Sequence, residues 1–244
     1  MRSTPHPRAR RYRGRVANHD DAGADDTGTT SEPLTRDGVV GVLHRPADEP
    51  IATAVLTHGA GGNHDGLLLR QLGVALSARG VLVARIDLPY RQKRPKGPPS
   101  PSGSARDREG IVLACALMRE LGAGPLVVGG HSYGGRQASM VVAEDAAVAD
   151  GLLLTSYPLH PPGKPDRLRV EHLPRITRPV VVVHGPSDPF ATTAELAAAV
   201  ALIPAPTTVV EITGTGHDLR PDRKPTAELT IEAVLTHLRG RGTD

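Results

Sequence analysis

Three side chains in this 244-residue chain have the types that nucleophilic catalysis needs, and they occur in a workable order. Ser132 lies in GHSYGG, Gly130 to Gly135, between an apolar run, VVGG, and a helical one, RQASMVVAED. A serine at such a break leaves a strand through a tight turn that exposes its hydroxyl, a conformation strained for any residue with a Cβ. Strand and helix nearly collide there, so the neighbours must be small, as Gly130, Gly134 and Gly135 are. The same turn aims the first N–H groups of the helix at the hydroxyl. The chemistry implied is attack on a carbonyl carbon, provided that a base is within reach.

That base must be an imidazole, and the imidazole needs a carboxylate to orient it. His217, in GTGHDL, follows the β-branched run TTVVEIT, and Asp188, in HGPSDPF, follows PVVVVHG. The rival acid position, after the preceding strand, reads TSYPLH and holds no carboxylate; Asp218, adjacent to His217, should point elsewhere. In a chain with 27 glycines and 11 histidines, each feature alone could be a glycine turn, a loop histidine or a turn aspartate. Together they run Ser, Asp, His, each just after a strand, which is the chain order expected of one site.

Acyl transfer also needs N–H groups prearranged for the developing oxyanion. Tyr133, directly after the nucleophile, is the first candidate. The loop HGAGGNHDG, after IATAVLT, should supply the second from Ala60, with Gly61 next. His58, His64 and Asp65 in this loop have no diagnostic metal spacing, and no metal or cofactor is expected.

The elements that must carry these residues begin at Gly38. GVVGVLHRP, IATAVLTHG, VLVARIDLP, PLVVGGH, GLLLTSY, PVVVVHG and TTVVEIT read as strands. Helical runs lie between them: GLLLRQLGVALSARG, stopped by Gly80; SARDREGIVLACALMREL, with Ser104 as N-cap; the run after Ser132; one from Thr192; and one closing the chain near Glu228. Such alternation implies an α/β fold with a mostly parallel sheet covered on both faces, whose ligands bind beyond the carboxyl ends of the strands. Residues 1–33, basic in RARRYRGR and then acidic and polar, have no apolar periodicity and are expected to form a disordered tail before a single domain, 34–244.

Composition removes several other functions. Aromatics make up only 2% of the chain, which argues against a nucleic-acid reader that stacks bases. The single cysteine, Cys115, allows no internal disulfide, and its place in IVLACALM suggests a buried thiol. No run is long enough to span a membrane and no secretory apolar core is present at the start, so a cytoplasmic protein without membrane partners is expected.

Taken together, THGAGG, GHSYGGR, SYPLHPPGKP and HGPSDPF resemble the α/β-hydrolase superfamily over about Gly38 to Gly240. Within it they resemble the small lidless branch related to dienelactone hydrolases, to testis-expressed protein 30 and to the third subunit of the NSL complex. The resemblance implies a sheet of about eight strands and serine-type hydrolysis without cofactors, with Ser132 as nucleophile, Asp188 as acid and His217 as base. Dienelactone hydrolases proper use cysteine where this chain has Ser132. About twenty residues, His160 to Pro179, occupy the usual place of a cap, too few for a lid domain, so an open site and small ester substrates are expected.

Basic residues flank the same sheet edge: Arg91, Lys93, Arg94 and Lys96 in one loop, Lys164, Arg167 and Arg169 in another. They read either as a solvated surface or as contacts to a carboxylate or phosphate on the substrate, with Arg91 and Lys164 as candidates. The function expected is a serine hydrolase acting on a small carboxylic ester or thioester; the alternative is a binding or scaffold protein on the same fold.

Overall fold

The structure, a computed structural model, describes residues 28–161 and 163–239. Eight strands form one sheet: β1 (Thr30–Arg36), β2 (Val39–Arg45), β3 (Ala52–Thr57), β4 (Val81–Ile86), β5 (Leu126–His131), β6 (Gly151–Thr155), β7 (Val180–His184) and β8 (Thr207–Glu211). They lie in the order β1-β2-β4-β3-β5-β6-β7-β8. The first two pair antiparallel and β2 joins β4 antiparallel; every later pairing is parallel. The chain winds outward from β3 in both directions, and the crevice at that reversal is where such sheets bind ligands.

Among the described residues six α-helices accompany the sheet: α1 (Leu67–Ser77), α2 (Pro89–Lys93), α3 (Ser104–Leu121), α4 (Tyr133–Glu144), α5 (Thr193–Val200) and α6 (Thr226–Arg239). The central strands β3, β4 and β7 are buried at every position, so they read as unbroken apolar runs rather than alternating ones. Their side chains still divide by face. Val55 and Val128 pack with Ile111, Met118 and Val142 of α3 and α4, whereas Leu56 and Val127 pack with Leu72 of α1 and Ile231 of α6. Cys115 belongs to the first cluster, and burial pushes its thiol up to about 12, so it is no nucleophile.

Two expectations change. The chain is ordered from before Pro33: residues 30–33 belong to β1, where Pro33 is tolerated because β1 is an edge strand, and Glu32 pairs with Arg45 across the hairpin at 2.8 Å. Residues 1–27 of the expected tail lie outside the described residues. Ser104 is not the N-cap of α3. A single 3-10 turn, Pro101–Gly103, leads straight into the helix, Gly103 takes the cap position, and the Ser104 hydroxyl donates to the Pro101 carbonyl at 3.0 Å. By contrast α5 has a full capping box, Thr192 with Glu195.

Between β6 and β7 the described residues contain one 3-10 turn, Leu173–Arg175, and no other helix or strand. Among the described residues no cap domain covers the sheet edge. No helix among the described residues is long and apolar enough to cross a membrane.

Candidate active site

Ser132 stands between β5 and α4 with φ 51° and ψ −114°. This strained backbone is over-determined by its surroundings. The Ser132 N–H donates to the Thr155 carbonyl at 2.8 Å, and the Ser132 carbonyl accepts from the Arg136 N–H at 3.0 Å. A Cβ at Gly130 would strike the Thr57 backbone, and one at Gly134 would lie 2.6 Å from the His58 carbonyl oxygen. Both glycines are therefore required by close approach, as the motif implies.

Asp188 and His217 reach the same point from the loops after β7 and β8. His217 Nδ1 lies 2.8 Å from Asp188 Oδ2, and His217 Nε2 lies 2.9 Å from Ser132 Oγ. A carboxylate only accepts, so Nδ1 carries the proton and Nε2 accepts from the serine hydroxyl. The Asp188 side chain is wholly buried, and its second oxygen accepts from the Phe190 N–H at 2.9 Å. The loops brace each other: the Ser187 N–H donates to the Thr215 carbonyl at 3.0 Å, and the Ser156 hydroxyl donates to the His217 carbonyl at 2.8 Å. Phe190, the one phenylalanine in the chain, places its ring 4.3 Å from the imidazole of His217. Ser156 and Phe190 escape sequence reasoning because a single serine after a strand and a single aromatic in a loop carry no pattern.

The backbone facing Ser132 is held by two residues of α2. The Tyr90 hydroxyl donates to the Ala60 carbonyl at 2.9 Å. Arg91 donates through Nε to Gly62 at 2.7 Å and through Nη2 to Ala60 and Gly97, both at 3.1 Å. This corrects the expectation for Arg91. It is 5% exposed, does not line the cleft, and spends its donors on backbone carbonyls of the glycine loop and of its own loop. Lys164 is exposed and lies outside the cleft lining.

A buried carboxylate ties the two sides together. Asp107, with no exposed surface, accepts from the Tyr90 N–H at 3.0 Å and from the Tyr133 hydroxyl at 2.7 Å. One acid thereby positions both α2 and the first residue of α4. Burial, reinforced by the Asp107 contact, raises the Tyr133 phenol above its ordinary range and keeps it a donor. A second carboxylate, Asp87, serves the glycine loop. It lies 2.9 Å from His64 Nδ1 and 3.7 Å from His58 Nε2. The nearby Asp87 carboxylate raises His64, whose backbone N–H also donates to it at 2.8 Å, while burial lowers His58, which donates from Nδ1 to Gly59 at 2.8 Å and accepts from the Leu88 N–H at 3.1 Å. These partners give His58 and His64 structural roles, and among the described residues no group of three or more His, Cys, Asp or Glu could hold a metal ion.

Ser132, Tyr133, Ala60, Gly61 and His217 all line one open cleft of about 990 Å³, whose apolar walls include Leu67, Leu68, Pro99, Pro158 and Phe190. The geometry brings together every residue expected of the relay and of the N–H pair. Residues 50–239 match the family described as alpha/beta hydrolase domain. The chain belongs to that family. Among solved structures this alpha/beta hydrolase is similar to dienelactone hydrolase from Anabaena variabilis, at 15% identity and TM-score 0.66 over 87% of this chain and 98% of that one. It is also similar to Est1E from Butyrivibrio proteoclasticus, at 17% identity and TM-score 0.65 over 86% and 99%. TT1662 from Thermus thermophilus is 21% identical, with TM-score 0.67 over 87% and 99%. At these identities the likeness is one of fold.

Behind α4, His172 is 4% exposed and lies 2.8 Å from the Ser139 hydroxyl, which donates to the Arg136 carbonyl at 2.8 Å. The ring therefore donates to Ser139 from Nε2. Burial, with the nearby Arg136 charge, lowers it to about 4. Below an unfolded value of about 6.5, the unfolded chain takes up a proton that the folded one refuses, so stability is lost as pH falls from 6.5 towards 4. The expected loss from this ring is on the order of 2–3 kcal/mol. Urea unfolding at pH 7 and pH 4.5 should show the parent losing more stability than His172→Gln; equal losses would mean that the ring is not buried neutral.

Proposed function

We propose that this alpha/beta hydrolase is a serine hydrolase that cleaves a small carboxylic ester or thioester through an acyl-enzyme. The observation that carries the reading is the continuous relay from Ser132 through His217 to buried Asp188, anchored on a strained elbow that opens into a cleft. His217 Nε2 takes the Ser132 proton as Oγ attacks the carbonyl carbon, and Asp188 stabilises the imidazolium that forms. The oxyanion is received by the N–H of Tyr133, one of the unpaired donors of the first turn of α4, and by that of Ala60, with Gly61 beside it. Ala60 suits the part because Tyr90 and Arg91 fix its carbonyl from outside the cleft. The tetrahedral adduct collapses as His217 hands its proton to the leaving oxygen or sulfur. Water then enters, gives a proton to the same nitrogen, attacks the acyl carbon and releases the acid and free Ser132.

An open cleft with apolar walls and no cap favours small or surface-presented esters over long lipids. The test is covalent capture. The parent treated with a fluorophosphonate should gain one adduct by intact mass, and Ser132→Ala should gain none. A folded parent that stays unlabelled would move the protein to the scaffold reading, with the elbow retained as a shape.

A further inference from the structure

The wall of the cleft formed by α4 holds buried hydrogen-bond donors without partners. Arg136 lies four residues after Ser132, one helical turn along and on the same face. It lines the cleft, and its Nε is buried without a hydrogen-bond partner. Gln137 also lines the cleft and has no exposed surface. Its Oε1 accepts from Arg108 Nη1 at 3.2 Å, and since arginine only donates, this fixes the amide with Nε2 as the remaining donor. That Nε2 is buried and unpartnered too. Arg169 enters from the loop after β6, lines the same cleft, and uses Nη1 on the Pro158 carbonyl at 3.1 Å. Among the described residues no carboxylate pairs with Arg136 or Arg169.

Two guanidinium groups sharing one cleft without a counter-ion repel each other, and burial together with the Arg136 charge lowers Arg169 from its ordinary range. The acids that do line the cleft, Asp218 and Asp222, belong to the His217 loop, and Asp222 pairs with Arg223 at 3.2 Å. An unpartnered buried donor is costly, and a bound anion would offset both charges that line the cleft. We propose that Arg136, Gln137 and Arg169 form an anion seat, so that the preferred ester or thioester carries a second, negatively charged group, a carboxylate or phosphate, beyond the scissile carbonyl. This rests on the hydrolase reading for what the substrate is, but the seat can be tested without turnover.

The test is calorimetric titration of Ser132→Ala, which cannot form an acyl-enzyme, with methyl hydrogen adipate, neutral methyl hexanoate and 2-acetoxyethyl phosphate. The adipate monoester should bind roughly tenfold or more tightly than the hexanoate ester, since a charge-assisted pair contributes that much. The preference should disappear when Arg136→Gln is added and persist with Arg167→Gln, an exposed residue of the same loop as Arg169 that does not line the cleft. A tighter phosphate ester would assign the seat to phosphorylated alcohols, and a tighter adipate ester to dicarboxylic half-esters. Equal affinity for charged and neutral esters, or a preference that survives Arg136→Gln, would overturn the seat. Fluorophosphonate labelling of the parent reads the hydrolase separately, so either idea can fail while the other stands.

Discussion

Replacing His217 with alanine should lower kcat by roughly 10⁶-fold on any ester that the parent hydrolyses, because residues of such a relay act as a unit and loss of the base alone removes nearly all of its effect. Ser132 would keep its position, since its backbone is held by Thr155 and Arg136 and not by the imidazole. Fluorophosphonate capture should slow in step with turnover but still reach the same serine. Asp188→Asn is the informative companion. It keeps the shape, but an amide can present its N–H to His217 Nδ1 and so favour the wrong tautomer, for an expected loss of about 10⁴-fold. Stopped-flow or end-point rates with one activated ester separate the two. A His217→Ala protein that retained more than a hundredth of the parent rate would show that another base serves Ser132, with His131, whose ring centroid lies 5.1 Å from that of His217, the first to examine.

The relay is legible in the sequence because each of its members follows an apolar strand run, which places all three at one sheet edge. The elbow glycines were legible because GHSYGG lies between a strand and a helix, where close approach requires small residues. What the sequence hid is the support. Asp107 sits in the middle of SARDREG, where a carboxylate in the first turn of a helix reads as solvated, and only packing against α2 and α4 reveals that it carries Tyr90 and Tyr133. Arg91 shows the same error. A cation in RQKRPK reads as surface, yet its neighbours Lys93, Arg94 and Lys96 are exposed while Arg91 alone turns inward to the carbonyls of the glycine loop. A glycine-rich backbone leaves carbonyls uncovered, and a five-donor side chain is the economical way to receive them. β1 was missed because its TSEPLTR alternates weakly and contains a proline, features that an edge strand permits.

Gly134→Ala should give the second large effect, and it tests whether the elbow and the glycine loop are built as one piece. Position 134 is helical, where alanine exceeds glycine by up to about 1 kcal/mol in propensity. Packing opposes that gain. The added methyl would meet the Thr57 hydroxyl and lie 2.6 Å from the His58 carbonyl oxygen. Neither neighbour can withdraw cheaply: Thr57 is buried and donates to the Gly129 carbonyl at 2.8 Å, and His58 is bonded on both ring nitrogens. Overpacking of this kind costs about 1–3 kcal/mol, so a net loss of about 1–2 kcal/mol is expected, seen as a fall of several degrees in Tm. Activity should fall further than stability does. Relief of the clash moves α4 away from β3, and with it the Tyr133 N–H away from the Ala60 N–H, and a displacement of 1 Å at such a pair costs about 100-fold in rate. The decisive comparison is kcat against Tm for Gly134→Ala and Gly135→Ala. A methyl at 135 would press on the Gly130 carbonyl at 2.6 Å, behind the elbow, without facing the glycine loop. If both variants lose stability but only Gly134→Ala loses most of its kcat, the spacing between α4 and the glycine loop sets the oxyanion site. Equal losses of kcat would place the effect in the elbow itself.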